Sequence, residues 1–221
     1  MITVHHLEHS RSQRILWLLE ELALPYEIVT YKRDPKTLLA PPELKAIHPL
    51  GKSPVITDDG VVIAESAVII DYLVKKYGAG RLFPTSAADQ LRYTYWLHYA
   101  EGSAMTPLLM KLVFERVANS PMPFFAKPIA KGIARSVRDS WIDPQLSLHL
   151  DFMEGELGKS EWFAGAEFTA ADIMMSYPLE AASARGGLNR PRLEAFLKKI
   201  QARPAYKKAL ERGGPFSVIP G

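Results

Sequence analysis

The chain has 221 residues, 48% of them hydrophobic and 23% charged, with a formal net charge of +3. That is enough apolar material for a buried core in one large domain or two small ones, and too mild a charge to call for nucleic acid or an acidic membrane as partner. The absence of cysteine excludes disulfides, thiolate metal sites and a cysteine nucleophile.

Met1 to Arg14 holds three His, a Glu and two Arg before any long apolar run, so no secretory signal is expected. The most apolar stretch, Ile15 to Leu24, is interrupted by Glu20 and Glu21 and falls short of the ~20 apolar residues of a membrane span. A cytoplasmic protein is the expectation.

In chain order, Ile2 to Leu7 reads as a first strand. Ser10 to Gln13 then offers N-cap chemistry before a helix with Ile15, Leu18, Leu19 and Leu22 on one face. Pro25 ends that helix, and Tyr26 to Tyr31, aromatic and β-branched, reads as a second strand. Asp34 to Pro49 carries four prolines and reads as loop with a short helical piece around Glu43 to Ile47. Pro54 to Thr57 and Val61 to Ala64 read as strands joined by the turn Asp58-Asp59-Gly60. Glu65 to Tyr77 follows as a helix, with Ile70, Leu73, Val74 and Tyr77 on one face and Gly78 as its stop. The order β-α-β, then β-β-α, implies strands of mixed direction with helices packed on the sheet.

Arg81 to Ala88 resembles a linker, and everything after it reads helical. One long helix presents Leu91, Tyr95, His98, Gly102 and Met105, and a second runs from about Lys127 to Leu157 unless Asp143-Pro144 breaks it. Thr169-Ala170-Ala171-Asp172 forms a capping box ahead of another apolar helix. Shorter helices near Arg192 to Gln201 and Ala205 to Arg212 complete the chain. Pro107 and Pro178 lie inside helical text, where each removes a backbone donor and is expected to kink or interrupt its helix.

Three places in the front half carry potential chemistry. Ser10, between the first strand and helix, reads either as a plain N-cap, with Ser12 competing for that position, or as a hydroxyl donating to an anion at a helix N-terminus. A thiolate there would gain from both. Lowering a thiol pKa from about 8.5 to about 6.5 takes ~2.7 kcal/mol and raises the thiolate fraction at pH 7 from roughly 3% to roughly 75%. Since the chain holds no cysteine, that thiol must belong to a ligand. Gly51-Lys52-Ser53-Pro54-Val55-Ile56 reads either as a loop entering a strand or as a cis-proline turn. The turn would aim the Val55 backbone at an extended ligand and Lys52 at its carboxylate. Glu65-Ser66 reads as ordinary first-turn residues or as a cradle for the carboxylate and ammonium of an α-amino acid. His5, His6 and His9 do not suggest a metal site, because adjacent strand residues point to opposite faces and no further ligands cluster with them.

In this order and spacing, three segments resemble the serine-type members (theta-like, bacterial and fungal) of the cytosolic glutathione transferase superfamily. They are Ser10-Arg11-Ser12-Gln13-Arg14, His48-Pro49-Leu50-Gly51-Lys52-Ser53-Pro54-Val55-Ile56, and Ala64-Glu65-Ser66-Ala67-Val68-Ile69-Ile70-Asp71-Tyr72-Leu73. Phe168-Thr169-Ala170-Ala171-Asp172-Ile173 is similar to the family's capping-box motif, so the resemblance covers almost the whole chain. It implies an α/β thioredoxin-like N-terminal domain over residues 1–80 and an all-α C-terminal domain over 89–221, joined by 81–88. It further implies Ser10, with Ser12 as the alternative register, as the hydroxyl that activates the glutathione thiol. Lys52, Val55, Glu65, Ser66 and Glu101 would bind glutathione, with Glu101 resembling an acidic residue that reaches the partner subunit's ligand. A bend at Pro107 would bring Met105, Leu109 and Met110 to a second-substrate pocket, although core packing is the simpler role for those three. His48 stands where many relatives carry Asn.

The activity implied is attack by the glutathione thiolate on hydrophobic electrophiles, in detoxification, with peroxidase activity on organic hydroperoxides as an extension. The partners implied are glutathione as substrate, no metal, no nucleic acid, no membrane, and a second copy of the chain in a homodimer. A non-catalytic protein of the same fold that binds glutathione or apolar ligands is the competing reading.

Overall fold

The computed structural model describes residues 1–37, 39–185 and 187–218. Its front half is a four-stranded sheet in the order β2-β1-β3-β4, built from β1 (Ile2–Leu7), β2 (Tyr26–Tyr31), β3 (Val55–Asp58) and β4 (Val61–Ala64). β1 runs parallel to β2, with Ile2 opposite Tyr26, and antiparallel to β3, with His5 opposite Val55. β3 and β4 pair antiparallel around Asp59-Gly60. The third strand thus starts one residue later than the expected Pro54, which has no N–H to give to a ladder.

Helix α1 (Gln13–Glu21) crosses one face of the sheet. Ile15, Leu16, Trp17, Leu18 and Leu19 are all buried in succession, so the middle of the helix is apolar all round because it is enclosed all round, while Glu20 and Glu21 at its end are half-buried. Helix α2 (Glu43–Ile47) occupies the proline-rich stretch, and α3 (Ser66–Tyr77) buries Ile69, Ile70, Leu73 and Val74.

The back half is helical: α4 (Ala87–Tyr99), α5 (Met105–Asn119), α6 (Lys127–Val137), α7 (Asp143–Glu156), α8 (Ala170–Ala184), α9 (Pro191–Gln201) and α10 (Pro204–Gly213). The expected interruptions at Pro107 and Asp143-Pro144 take an unexpected form. A π-type turn, Ala100–Ala104, joins α4 to α5, and another, Arg138–Ile142, joins α6 to α7. A proline ring collides with the carbonyl four residues back. For Pro107 and Pro144 those carbonyls belong to Ser103 and Ser140, each inside a π turn. The widened turn makes room for the ring, and the chain stays helical through both sites.

Helix α8 is the hub, buried from Ala170 to Ala182 and packed against α1, α3, α4, α5 and α9. Its capping box is formed as expected: the Asp172 carboxylate accepts from the backbone N–H of Thr169 at 2.9 Å and of Phe163 at 2.9 Å. Further along α8, Glu180 is buried and accepts from the Tyr206 hydroxyl at 2.7 Å. Burial pushes its carboxyl up to about 7. An acid whose folded pKa is raised is held protonated while the unfolded chain has already ionised, so stability falls as pH rises from about 4.5 to about 7. Glu180→Gln is expected to remove a loss of about 3 kcal/mol at pH 8 while changing little at pH 4; urea unfolding at the two pH values reads the difference.

Candidate active site

The turn between β1 and α1 places Ser10. His9 takes a left-handed backbone (φ 53°), the chain reverses, and Ser12 occupies the N-cap position of α1. Ser12 makes no side-chain capping bond. Its hydroxyl lies 2.8 Å from the Ser10 hydroxyl and 2.8 Å from Nδ1 of His6. Ser10 also accepts from the Ser12 N–H at 3.2 Å and lies 3.2 Å from the hydroxyl of Ser53. Both serines are buried, but they differ in what they face. Ser10 lines a cavity of about 180 Å³ with Arg11, Arg33, Lys52, Ser53 and Tyr177; Ser12 is enclosed and is not among its lining residues.

A second cavity of about 260 Å³ shares Arg11, Lys52 and Ser53 with the first and is walled by His48, Pro54, Glu65, Ser66 and Glu101. The shared residues join the two into one groove, walled mainly by the front half with Glu101 and Tyr177 contributed by the back half. Gly51, at φ +56°, turns the chain into it, and a Cβ there would meet Lys45 Cγ at 2.7 Å, so glycine suits the position both conformationally and sterically. The Ser53-Pro54 bond is cis. Glu65 sits at φ 71° just before α3, an uncommon conformation for a residue with a side chain. Such a conformation costs about 1–3 kcal/mol and is held in place by its surroundings. It brings Glu65 and the start of α3 to the groove.

Of the residues expected from sequence, Ser10, Lys52, Glu65, Ser66 and Glu101 gather on this groove. Val55 is buried within the sheet between His5 and Ala64, and the cavity wall is the preceding Pro54. Met105, Leu109 and Met110 do not converge: Met105 packs into the core, Leu109 is exposed, and none of the three lines either half of the groove. Glu101 lies in the wall of the chain's own groove. Arg11 and Tyr177 complete the site, with the Arg11 guanidinium 4.9 Å from the Tyr177 ring centre. Arg11 stands beside Ser10 in the quoted motif, and its charge next to a candidate anion site was the available signal. Tyr177 arrives from a distant helix and carries no local signal.

Arg14 joins the halves. It is wholly buried and donates to Glu101 Oε1 at 2.6 Å, to the Ser66 hydroxyl at 2.9 Å and to the Met174 carbonyl at 2.8 Å. That carbonyl is free because Pro178, four residues on in α8, has no N–H to offer it. Burial works against the Glu101 carboxylate, but Arg14 and Arg11 more than offset it and hold its carboxyl below the usual range.

Among the described residues no group of three or more His, Asp or Glu is placed to hold a metal ion. His5 bonds to Tyr31 and Thr57, each at 3.0 Å. Among the described residues no helix is long and apolar enough to cross a membrane.

The groove sets cations (Arg11, Arg33, Lys52) against anions (Glu65, Glu101) around a buried hydroxyl. Its mixed charge can pair with a ligand that carries both signs. The family pattern described as Glutathione S-transferase, N-terminal domain, matches residues 10–76, and that of the C-terminal domain matches residues 142–211. Glutathione S-transferase 3 of Schizosaccharomyces pombe is 36% identical over 96% of this chain and 88% of its own length. Glutathione S-transferase 1 of Saccharomyces cerevisiae is 35% identical over 96% and 95% respectively. Among solved structures, a glutathione S-transferase from Actinobacillus pleuropneumoniae superposes with a TM-score of 0.78 at 32% identity, covering 99% of this chain and 94% of that one. A glutathione transferase homologue from Sulfitobacter with bound glutathione shares the fold, with a TM-score of 0.75 at 19% identity over 96% of this chain and 98% of its own.

Proposed function

Since the chain belongs to the glutathione S-transferase family and is a glutathione transferase, we propose that the groove holds glutathione with its sulfur at Ser10, poised to attack hydrophobic electrophiles. The observation that carries this reading is the placement of Ser10, the serine of the pair that reaches the groove, at the helix N-terminus. Its hydroxyl and the positive end of α1 favour a thiolate over a thiol. Glu65 and the backbone and hydroxyl of Ser66 recognise the α-amino acid end, where Glu65 takes the ammonium and the start of α3 takes the carboxylate. Lys52 takes the glycine carboxylate. Val55 is already paired between two strands, so the cysteinyl unit meets the cis-proline turn itself, at Ser53 and Pro54. Once formed, the thiolate adds to an electron-poor carbon and displaces halide or opens an epoxide. Organic hydroperoxides, whose O–O bond accepts a sulfur nucleophile, extend the range to peroxidase chemistry.

The second-substrate pocket lies where the groove opens toward Tyr177 and Arg33, rather than at the scattered Met105, Leu109 and Met110. We read the working form as a homodimer in the cytoplasm, serving detoxification. Exposed Val61, Val62 and Val68 in the front half, with Leu91 and Tyr95 on α4, offer apolar surface that a second copy would bury.

The test is a panel. The protein is passed over immobilised glutathione and then assayed with glutathione against an aryl halide and an organic hydroperoxide. Retention at millimolar ligand and turnover of at least one class are expected. Retention without any turnover would leave only the ligand-binding reading, and failure to bind would sink the assignment of the groove.

A further inference from the structure

Ser12 occupies an N-cap position yet does not cap, and what its hydroxyl does instead has a direction. His6, on β1, is buried, with Nε2 3.0 Å from the carbonyl oxygen of Gly213 at the end of α10. A carbonyl can only accept, so Nε2 carries the hydrogen. Burial pushes the His6 imidazole below its ordinary pKa, against the pull of the Gly213 carbonyl and Glu8, and with a smaller push from His9. The ring is therefore neutral near pH 7, and Nδ1 presents a bare lone pair to Ser12 at 2.8 Å. Ser12 donates to it in preference to its other acceptor, the Leu7 carbonyl at 3.4 Å. With that proton committed, the 2.8 Å contact between the serines is made by the Ser10 O–H. In the resting state both hydroxyls of the chain Ser10–Ser12–His6 point inward; Ser10 spends one lone pair on the Ser12 N–H and turns the other toward Ser53 and the groove, the Ser53 hydroxyl having the His5 carbonyl at 3.4 Å as its own alternative acceptor.

From this geometry we infer that His6 is the terminal acceptor of the glutathione thiol proton, reached through Ser10 and Ser12. The inference rests on the reading of Ser10 given above. The thiol S–H gives its proton to Ser10 Oγ as the Ser10 proton passes to Ser12 Oγ and the Ser12 proton passes to His6 Nδ1. One S–H bond is lost, one N–H bond is gained, and each hydroxyl ends with the single hydrogen it began with. The products are thiolate and imidazolium, and no other reactant takes part. Every bond of the chain is then reversed: Nδ1–H donates to Ser12, Ser12 to Ser10, and Ser10 to sulfur. One hydroxyl thus accepts from the thiol and donates to the thiolate. Burial opposes the added charge, as does His9 to a smaller extent; Glu8 and the retained Gly213 bond favour it, and the imidazolium persists at neutral pH only as the counter-ion of the thiolate formed in the same step. Ser12 and His6 touch no substrate and act only through Ser10.

The relay makes a claim about protons that a lone serine does not. If Ser10 merely stabilises the thiolate, each thiolate formed releases one proton to solvent; if His6 takes the proton, it is retained. Glutathione is titrated into the protein in weakly buffered solution at pH 7.5, with thiolate followed by its ultraviolet absorbance and protons by an indicator dye. The wild type is expected to release well under one proton per thiolate. Ser12→Ala, which cuts the chain with the loss of one oxygen, is expected to hold about tenfold less thiolate at pH 7 and to release a full proton for each. His6→Asn keeps an acceptor oxygen near the Nδ1 position but no base, and is expected to restore the thiolate population partway while still releasing a full proton. His6→Gln, which keeps only the bond to Gly213, is expected to restore none. Full proton release by the wild type would overturn the relay, a result that needs no variant to fold. So would Ser12→Ala and His6→Asn matching the wild type in both readouts. Ser10→Ala separates the two layers: an unchanged thiolate in that variant overturns the reading of Ser10 itself, whereas thiolate lost there with full proton release in the wild type overturns the relay alone.

Discussion

Ser10→Ala is expected to lower conjugation at pH 7 by about 10- to 150-fold, the equivalent of one charge-assisted hydrogen bond worth about 1.5–3 kcal/mol, with little change in affinity for glutathione. Ser10 is buried and lines the groove, while its hydroxyl reaches only other hydroxyls and a backbone N–H, so removing it opens no charged wound in the fold. What changes is the thiol. If its pKa returns from about 6.5 toward about 8.5, the thiolate fraction at pH 7 falls from roughly three quarters to a few per cent. The deficit must therefore close with pH and shrink below about twofold near pH 9, where both thiols are mostly ionised. A pH profile of kcat/KM decides it. A deficit constant across that range would mean that Ser10 orients glutathione rather than ionising it.

Arg14→Met is expected to cost about 3–5 kcal/mol of stability, read as a fall in the urea midpoint. Methionine has comparable length, so the loss comes from the partners left behind. The Ser66 hydroxyl, the Met174 carbonyl and one oxygen of Glu101 each lose a donor. Glu101 keeps Arg11 at 3.1 Å and is 31% exposed, which places the effect toward the lower end. Adding Glu101→Gln to Arg14→Met is expected to recover part of the loss, because the variant then buries one charge fewer. Activity should fall with stability in the single variant, since Ser66 and Glu101 both wall the groove.

Much of this was legible along the chain. The strands, the helix starts and the capping box at Thr169 follow from local pattern, and so does the gathering of Ser10, Lys52, Glu65 and Ser66, because each sits at a turn or helix end whose chemistry is written in adjacent residues. What escaped reading depends on contacts distant in sequence. His6 looked like one of three idle histidines, and its meaning comes from Gly213, 207 residues away. Tyr177 gave no hint of lining the site. The π turns could not be foreseen from Pro107 and Pro144 alone: proline announces a missing donor, not how the neighbouring carbonyl escapes collision. In the sequence Ser10 stands ahead of Ser12 only through the family resemblance, for the two lie two residues apart at one helix start. The turn separates them by aiming one at the groove and the other at the imidazole.

The carbonyl of Met174 has a further consequence. An in-helix proline is ordinarily a defect that a stabilising Pro→Ala exchange repairs. Here the repair would supply a new N–H to Met174 and make its carbonyl share two lone pairs between the helix and Arg14. The two halves of the chain are therefore not interchangeable modules. A chimera carrying this front half on a helical half with an uninterrupted ladder at that point would leave a wholly buried guanidinium sharing one of its acceptors with the helix. Grafts between relatives should succeed or fail on whether the vacancy in the ladder travels with the arginine.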